Sequence, residues 1–247
     1  LMGISIVLRW GTTSSNEIIH KLKYPAAIGL ISAPVAYIFS FTDISSLVGI
    51  STSIFAISLH GQNYLFDVKD FTTKTGTKTI SSMIHIILNR RRRYCGYIVH
   101  LSMILIFIGI IGTSIYQTNY STTLQRDIPE EIGGYTFTYN GYSKIEEPNQ
   151  NDYRINLVIK NGNFGDVITP SISENLKAQA SYTHVGVKSL LLEDVYVIPE
   201  SFDENQVSLT INYVPLISFI WAGGQLMIIG VMIGLLPNRL LLKEEIN

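Results

Sequence analysis

Six side chains in this sequence could ligate a metal ion: His20, His60, His85, His100, His184 and the single cysteine, Cys95. Two of the histidines stand inside long uncharged runs. His60 lies seven residues before Asp67, and His100 lies seven after Arg93. At helical rise each is roughly 10 Å in from its charged boundary. An imidazole at that depth in hydrocarbon must find a partner or stay neutral at a cost. Two neutral imidazoles at one depth on different helices can bind a single metal centre. In a dry site haem is the natural candidate, because its faces are apolar and its iron takes axial nitrogen ligands. The competing reading is a histidine that only hydrogen-bonds a neighbouring helix, and spacing leaves both open. His184 falls among strands and reads as a surface or hydrogen-bonded residue. One cysteine excludes a disulfide framework and a multi-cysteine metal site. There is no glycine-rich phosphate loop, no HExxH helix and no pair of carboxylates within an apolar run.

Those imidazoles need membrane spans to hold them, and the composition supplies spans. Of 247 residues, 47% are hydrophobic and 15% charged, which is too apolar for an ordinary soluble chain. The net charge of -1 argues against a nucleic-acid binder. Four windows read as transmembrane: the end of a helix over 1–10, a helical hairpin over 24–66 turning at Asp43, a helix over 94–116 carrying His100, and a last helix over 213–236. The segments 9–23, 67–93 and 238–247 hold 12 of the 18 Lys and Arg against 5 of the 19 acids, so that side is expected to be cytoplasmic. The run Arg90 to Arg93 reads first as a topology anchor. Ahead of it, Ile80, Met83, Ile84, Ile87 and Leu88 fall at helical spacing, which predicts an interfacial helix within a basic loop over 67–93. A short cytoplasmic tail follows at 237–247.

Between the last two spans, 117–212 alternates apolar and polar residues in short runs. Tyr135, Phe137 and Tyr139, then Ile155, Leu157 and Ile159, then Val195 and Val197, then Val207, Leu209 and Ile211 predict strands. Asn140-Gly141 and Asn161-Gly162 read as turns. The fold class expected is an integral membrane α-helical bundle with one extracytoplasmic β-rich domain inserted before the last transmembrane helix.

Particular runs are recognisable. Arg92-Arg93-Tyr94-Cys95-Gly96-Tyr97-Ile98-Val99-His100-Leu101, followed by Ile108-Gly109-Ile110, resembles the cytochrome c maturation haem lyase family of the CcmF and NrfE type. In that family a basic aromatic stretch enters a helix that carries a histidine. Three further segments agree in order: the Leu8-Arg9-Trp10-Gly11 ending of the first apolar run, Glu193-Asp194-Val195-Tyr196-Val197, and Pro215 through Ile220-Trp221-Ala222-Gly223-Gly224 with Met227 and Gly230. Two departures stand out. Ser102 replaces a glycine common after the His-Leu pair, and Cys95 replaces glycine or an aromatic residue.

The resemblance covers the C-terminal portion of the family. It implies that His100 is an axial ligand of a b-type haem, that Tyr97 and Gly109 belong to the haem cavity, and that the second ligand stands on the N-terminal half. His60 is kept as an alternative ligand. The implied function is that of a membrane subunit assisting reduction and covalent attachment of haem to apocytochrome c. The implied partners are an N-terminal haem lyase half or subunit with a tryptophan-rich segment, other cytochrome c maturation subunits and apocytochrome c. The implied location is the inner membrane of a prokaryote, or an organelle membrane for a split organellar gene. A transport permease, or a cofactor-free assembly scaffold with an outer β-domain, is the alternative.

Overall fold

The computed structural model describes residues 15–89, 91–162 and 164–235. The expected span end over 1–10 and the tail over 237–247 lie outside the described residues. The chain divides into two units: the helices up to Ile111 and from Phe219 onward, and a β-rich unit over Gly112–Ser218.

The helical unit opens with α1 (Ser15–Ile38) and α2 (Ile44–Thr75). Asp43 starts α2, its carboxylate accepting the Ser46 N–H at 3.0 Å. This satisfies one of the donors that every helix N-terminus leaves open. Gly76, at φ 69°, ends α2 and returns its N–H to the Thr72 carbonyl at 2.9 Å. The short α3 (Thr79–Asn89) leads to α4 (Arg91–Ile115), and α5 (Ile217–Leu235) follows the β-unit. Among the described residues, three segments are long and apolar enough to cross a membrane: α2, Arg93–Ile115 of α4, and α5. The first arm of the expected hairpin is not among them. α1 ends at Ile38 rather than Phe41, and its uncharged part from Tyr24 is about 22 Å long, short of the roughly 30 Å of hydrocarbon.

Small residues let α5 approach α4. A Cβ on Gly223 would lie 2.7 Å from the Ser102 carbonyl oxygen, one on Gly230 2.9 Å from Ile98, and one on Gly234 2.9 Å from Cys95 Sγ. Close backbone approach of this kind substitutes for the hydrophobic effect, which is absent between helices in lipid. Both departures noted above lie on this contact. Ser102 is fully buried, its hydroxyl bonded to the Val99 carbonyl at 2.6 Å, and Cys95 is a small filler opposite a glycine.

α2 continues to Thr75, nine residues past Phe66, so the first part of the basic stretch is helix rather than loop. The apolar stripe of α3 is divided. Ile86 is buried, with Met83 and Ile87 packed around it against Val68, Phe71 and Tyr94, while Ile80 and Ile84 are exposed.

The β-unit consists of two antiparallel sheets. One is ordered β1 (Thr118–Gln125), β10 (Gln206–Pro215), β9 (Glu193–Phe202), β8 (Gly186–Ser189). The other is ordered β2 (Pro129–Ile132), β3 (Tyr135–Glu147), β4 (Gln150–Asn161), β6 (Ser171–Asn175), β7 (Ala180–His184), with β5 (Phe164–Ile168) also paired to β4. The alternating residues of the sequence form one core: Phe137, Tyr139, Ile155, Leu157, Val195, Val197, Val207, Leu209 and Ile211 are fully buried. Alternation works here because successive side chains of a strand point to opposite faces.

Two local readings change. Asn140-Gly141 is not a hairpin turn. It lies inside β3, where the register with β4 shifts between Tyr139 and Tyr142, and Gly141 at φ 90° supplies the bulge. The tight hairpin is Gly133-Gly134, both at positive φ, which joins β2 to β3. A Cβ on Gly133 would stand 2.6 Å from the ring of Tyr213. Tyr213 and Val214, read as the start of the last span, belong to β10. The Tyr213 hydroxyl donates to the Ile132 carbonyl at 2.5 Å. An uncharged run cannot by itself separate a buried strand from a span.

Candidate functional site

α2 and α4 present one face each to the other. On α2, His60, Tyr64, Asp67 and Val68 recur at intervals of three and four. On α4, Tyr94, Tyr97, His100 and Leu101 do the same. Residues so spaced share a helix face, and the two faces meet in a line of rings. The centroids of His60 and His100 are 5.4 Å apart with the planes tilted by 35°, and His60 stacks on Tyr97 at 5.5 Å and 12°. Tyr97 meets Tyr94 edge-on at 5.4 Å, and Tyr94 meets Tyr64 at 5.6 Å.

One end of this line is closed by charge. The Tyr94 hydroxyl donates to Asp67 Oδ2 at 2.6 Å, and Arg93 Nη2 stands 3.1 Å from the same oxygen. Arg93 also donates to the Tyr97 hydroxyl at 3.2 Å, and Tyr64 donates to the Met83 carbonyl at 3.0 Å. Every phenol of the line is therefore satisfied, and Asp67 carries two charge-assisted partners in partial shelter from water.

The imidazoles are not satisfied. His60 is 6% exposed, and neither of its ring nitrogens has a hydrogen-bond partner; the enclosed Nδ1 of His100 has none either. A buried polar atom without a partner costs on the order of 1–3 kcal/mol, so three together in one place require an explanation. Beside His60 is an apolar cavity of about 280 Å³, lined by His60, Tyr64, Tyr94, Tyr97, Gly61 and the aliphatic residues Ile57, Ile87, Ile98 and Leu101, with His100 next to His60 but outside the lining. It lies just below the roughly 300–1,000 Å³ of small-molecule sites. In kind, these donors suit a haem iron, which takes neutral imidazole nitrogen in apolar surroundings.

Of the residues singled out in the sequence, the structure brings His60, Tyr97 and His100 together. Gly109 is buried in α4 about 14 Å further along the helix and does not line the cavity. His20, His85 and His184 are exposed and stand elsewhere. Among the described residues, no cluster of three or more His, Cys, Asp or Glu could hold a metal ion. Sequence reasoning missed Tyr64, Asp67 and Tyr94 as parts of the site. Their signal was present in the matching intervals on the two helices, which bring a carboxylate and two phenols to the face that carries His60 and His100.

No protein-family model matches the chain. A cytochrome c-type biogenesis protein CcmF of Pseudomonas aeruginosa is 23% identical over 247 residues, covering 99% of this chain and 36% of its own length. The protein of the same name from Pseudomonas fluorescens is 22% identical over 248 residues, with the same coverage. The chain thus spans just over a third of the curated relatives it matches. Among solved structures, a cytochrome c heme lyase CcmF shares the fold with a TM-score of 0.72 at 16% identity, over 96% of this chain and 38% of that one. By sequence along nearly its whole length and by fold, the chain resembles the C-terminal portion of the CcmF type of cytochrome c biogenesis proteins.

Proposed function

We propose that this chain is the C-terminal part of a membrane-bound cytochrome c haem lyase, that His100 is an axial ligand of a b-type haem, and that the assembly assists reduction and covalent attachment of haem to apocytochrome c. The observation that carries the reading is the adjacent pair of imidazoles whose enclosed nitrogens have no partner, in a chain that resembles part of the CcmF proteins along nearly its own whole length. Haem, when bound, supplies one-electron redox chemistry through its iron.

The residues of this chain do the rest. His100 would offer a ring nitrogen lone pair from the face that α4 turns toward α2. Tyr97, three residues earlier on the same face, fixes the position of the neighbouring ring by stacking on His60. The Arg93–Asp67–Tyr94 cluster ties α2 to α4 and closes one end of the site. His60 and His100 stand with ring centres 5.4 Å apart, and His60 is stacked on Tyr97. A haem held here would take His100 as its ligand from this chain and the second from the N-terminal half, which would also carry the tryptophan-rich segment. The remaining maturation subunits and apocytochrome c are the proposed partners. The surplus of cations in the sequence around Arg93 supports a cytoplasmic side for that stretch and an extracytoplasmic β-unit, in an inner or organellar membrane.

The test is the absorbance of the chain purified together with its N-terminal partner. The reading expects a red, dithionite-sensitive spectrum that His100→Ala abolishes and His184→Ala leaves intact. A colourless assembly overturns it in favour of a permease or a cofactor-free scaffold.

A further inference from the structure

The loop from β8 to β9 is Leu190-Leu191-Leu192, and it leaves Leu191 85% and Leu192 58% exposed. Its position is fixed by hydrogen bonds. The Leu190 N–H closes the turn on the Glu193 carbonyl at 2.9 Å, the Leu216 N–H donates to the Leu192 carbonyl at 2.6 Å, and Ser218 Oγ donates to the Leu190 carbonyl at 3.3 Å. Leu216 and Ser218 flank Ile217, the first residue of α5. That helix has 19 residues, about 28 Å at helical rise. A hydrocarbon core is about 30 Å thick, a depth that the described part of α5 nearly matches, which puts Ile217, where strand gives way to helix, at its boundary. A loop bonded to the residues on both sides of Ile217 stands at the same level. The corner is also held firmly. Leu216 adopts φ 59°, and its side chain packs directly on Gly112, where a Cβ would meet it at 2.7 Å.

The other end of the same strands has the opposite character. The β9–β10 turn is Asp203-Glu204-Asn205, about 30 Å away along ten-residue strands. Its Asp203 carboxylate accepts the N–H groups of Asn205 and Gln206 at 2.7 and 2.8 Å. Exposed leucines thus mark the end joined to the span, and carboxylates mark the far end.

We propose that Leu191 and Leu192 form a membrane foot of the β-unit, and that the acyl chains of the bilayer are their partner. The loop backbone stays at headgroup level, where water and lipid headgroups can bond its polar groups, because such groups are not tolerated deeper. The two side chains reach inward and lose their contact with water. The proposal depends on α5 being a span and is independent of any cofactor.

Spin labelling of the full chain in phosphatidylcholine vesicles tests it, with Cys95→Ser removing the native thiol and a nitroxide placed at Leu191→Cys, Leu192→Cys or Glu204→Cys. Oxygen concentrates in hydrocarbon, and a nickel chelate stays in water. Labels at 191 and 192 are expected to relax several-fold more with oxygen than with the chelate, and the label at 204 the reverse. Chelate access at 191 and 192 equal to that at 204 overturns the proposal. Shielding from both reagents also overturns it, because it would mean that protein covers the loop. Quenching of a bimane on the same cysteines by brominated lipid must give the same order.

Discussion

In the β-unit the phenols of Tyr135, Tyr139 and Tyr213, each at most 7% exposed, donate to Glu193, to the Asp203 carbonyl and to the Ile132 carbonyl. In the helical unit His60 is equally buried and both of its nitrogens are open, with His100 Nδ1 open beside it. One unit settles its buried polar groups within its own chain; Asn212 Oδ1 is the exception among its described side chains. The other settles the phenols and the Asp67 carboxylate of its ring line but leaves its imidazoles open, along with the isolated hydroxyls of Ser51 and Thr72. Lipid tails cannot supply a partner, so the three clustered open nitrogens are the costly feature of the helical unit, whereas the satisfied tyrosines mark architecture.

Four experiments sharpen or break that contrast. The largest effect is expected in the β-core. Phe137→Ala removes a fully buried ring and should lower the stability of the β-unit by about 4 kcal/mol in denaturant titration. Simultaneous loss of the helical signal would show that the two units are not energetically separate. Tyr94→Phe deletes the 2.6 Å bond to Asp67 while keeping the ring. It should cost the helical unit about 2 kcal/mol, read as a lower midpoint of thermal unfolding in detergent, since bonds to charged groups are the stronger kind.

His60→Leu has the opposite sign. Removing two unpartnered buried nitrogens should stabilise the helical unit by about 1 kcal/mol in the same melt. The co-purified assembly should stay red if the second ligand is on the N-terminal half. Loss of colour would make His60 the ligand.

The smallest effect concerns Asp152, a β-unit carboxylate 15% exposed. Burial pushes its pKa up, but hydrogen bonds from Ser173 at 2.8 Å and Arg154 at 3.1 Å outweigh this and hold it below the usual carboxylate range. A depressed value means that the folded state gains from the charge above the unfolded pKa, near 4. That gain is lost as pH falls through the folded value. Wild type should therefore lose β-unit stability below about pH 4 more steeply than Asp152→Asn, by thermal melts across pH. Parallel curves would remove Asp152 from the account.

Period-2 alternation located Phe137, Leu157, Val197 and Leu209 correctly because one strand face buries and the other does not. Charge-free length located the spans of α2 and α4 because hydrocarbon excludes charge. Neither signal could decide Tyr213, whose ring belongs to a β-core although its neighbours are as apolar as a span. Nor could a dipeptide rule decide Asn140-Gly141, since a glycine at positive φ serves a bulge as readily as a turn. Equal depth suggested that His60 and His100 could meet. Depth says nothing of rotation about the helix axis, so the stacking partner Tyr97 and the Asp67 clamp came only with the packed helices.

The β-unit begins in β1 and ends in β10, and these strands lie side by side, with Thr118 opposite Tyr213. Entry and exit are thus one strand spacing apart, about 5 Å. A domain whose two ends nearly coincide is a cassette. It can be gained, exchanged or cut out by a short linker between two helices without lengthening or redirecting either of them.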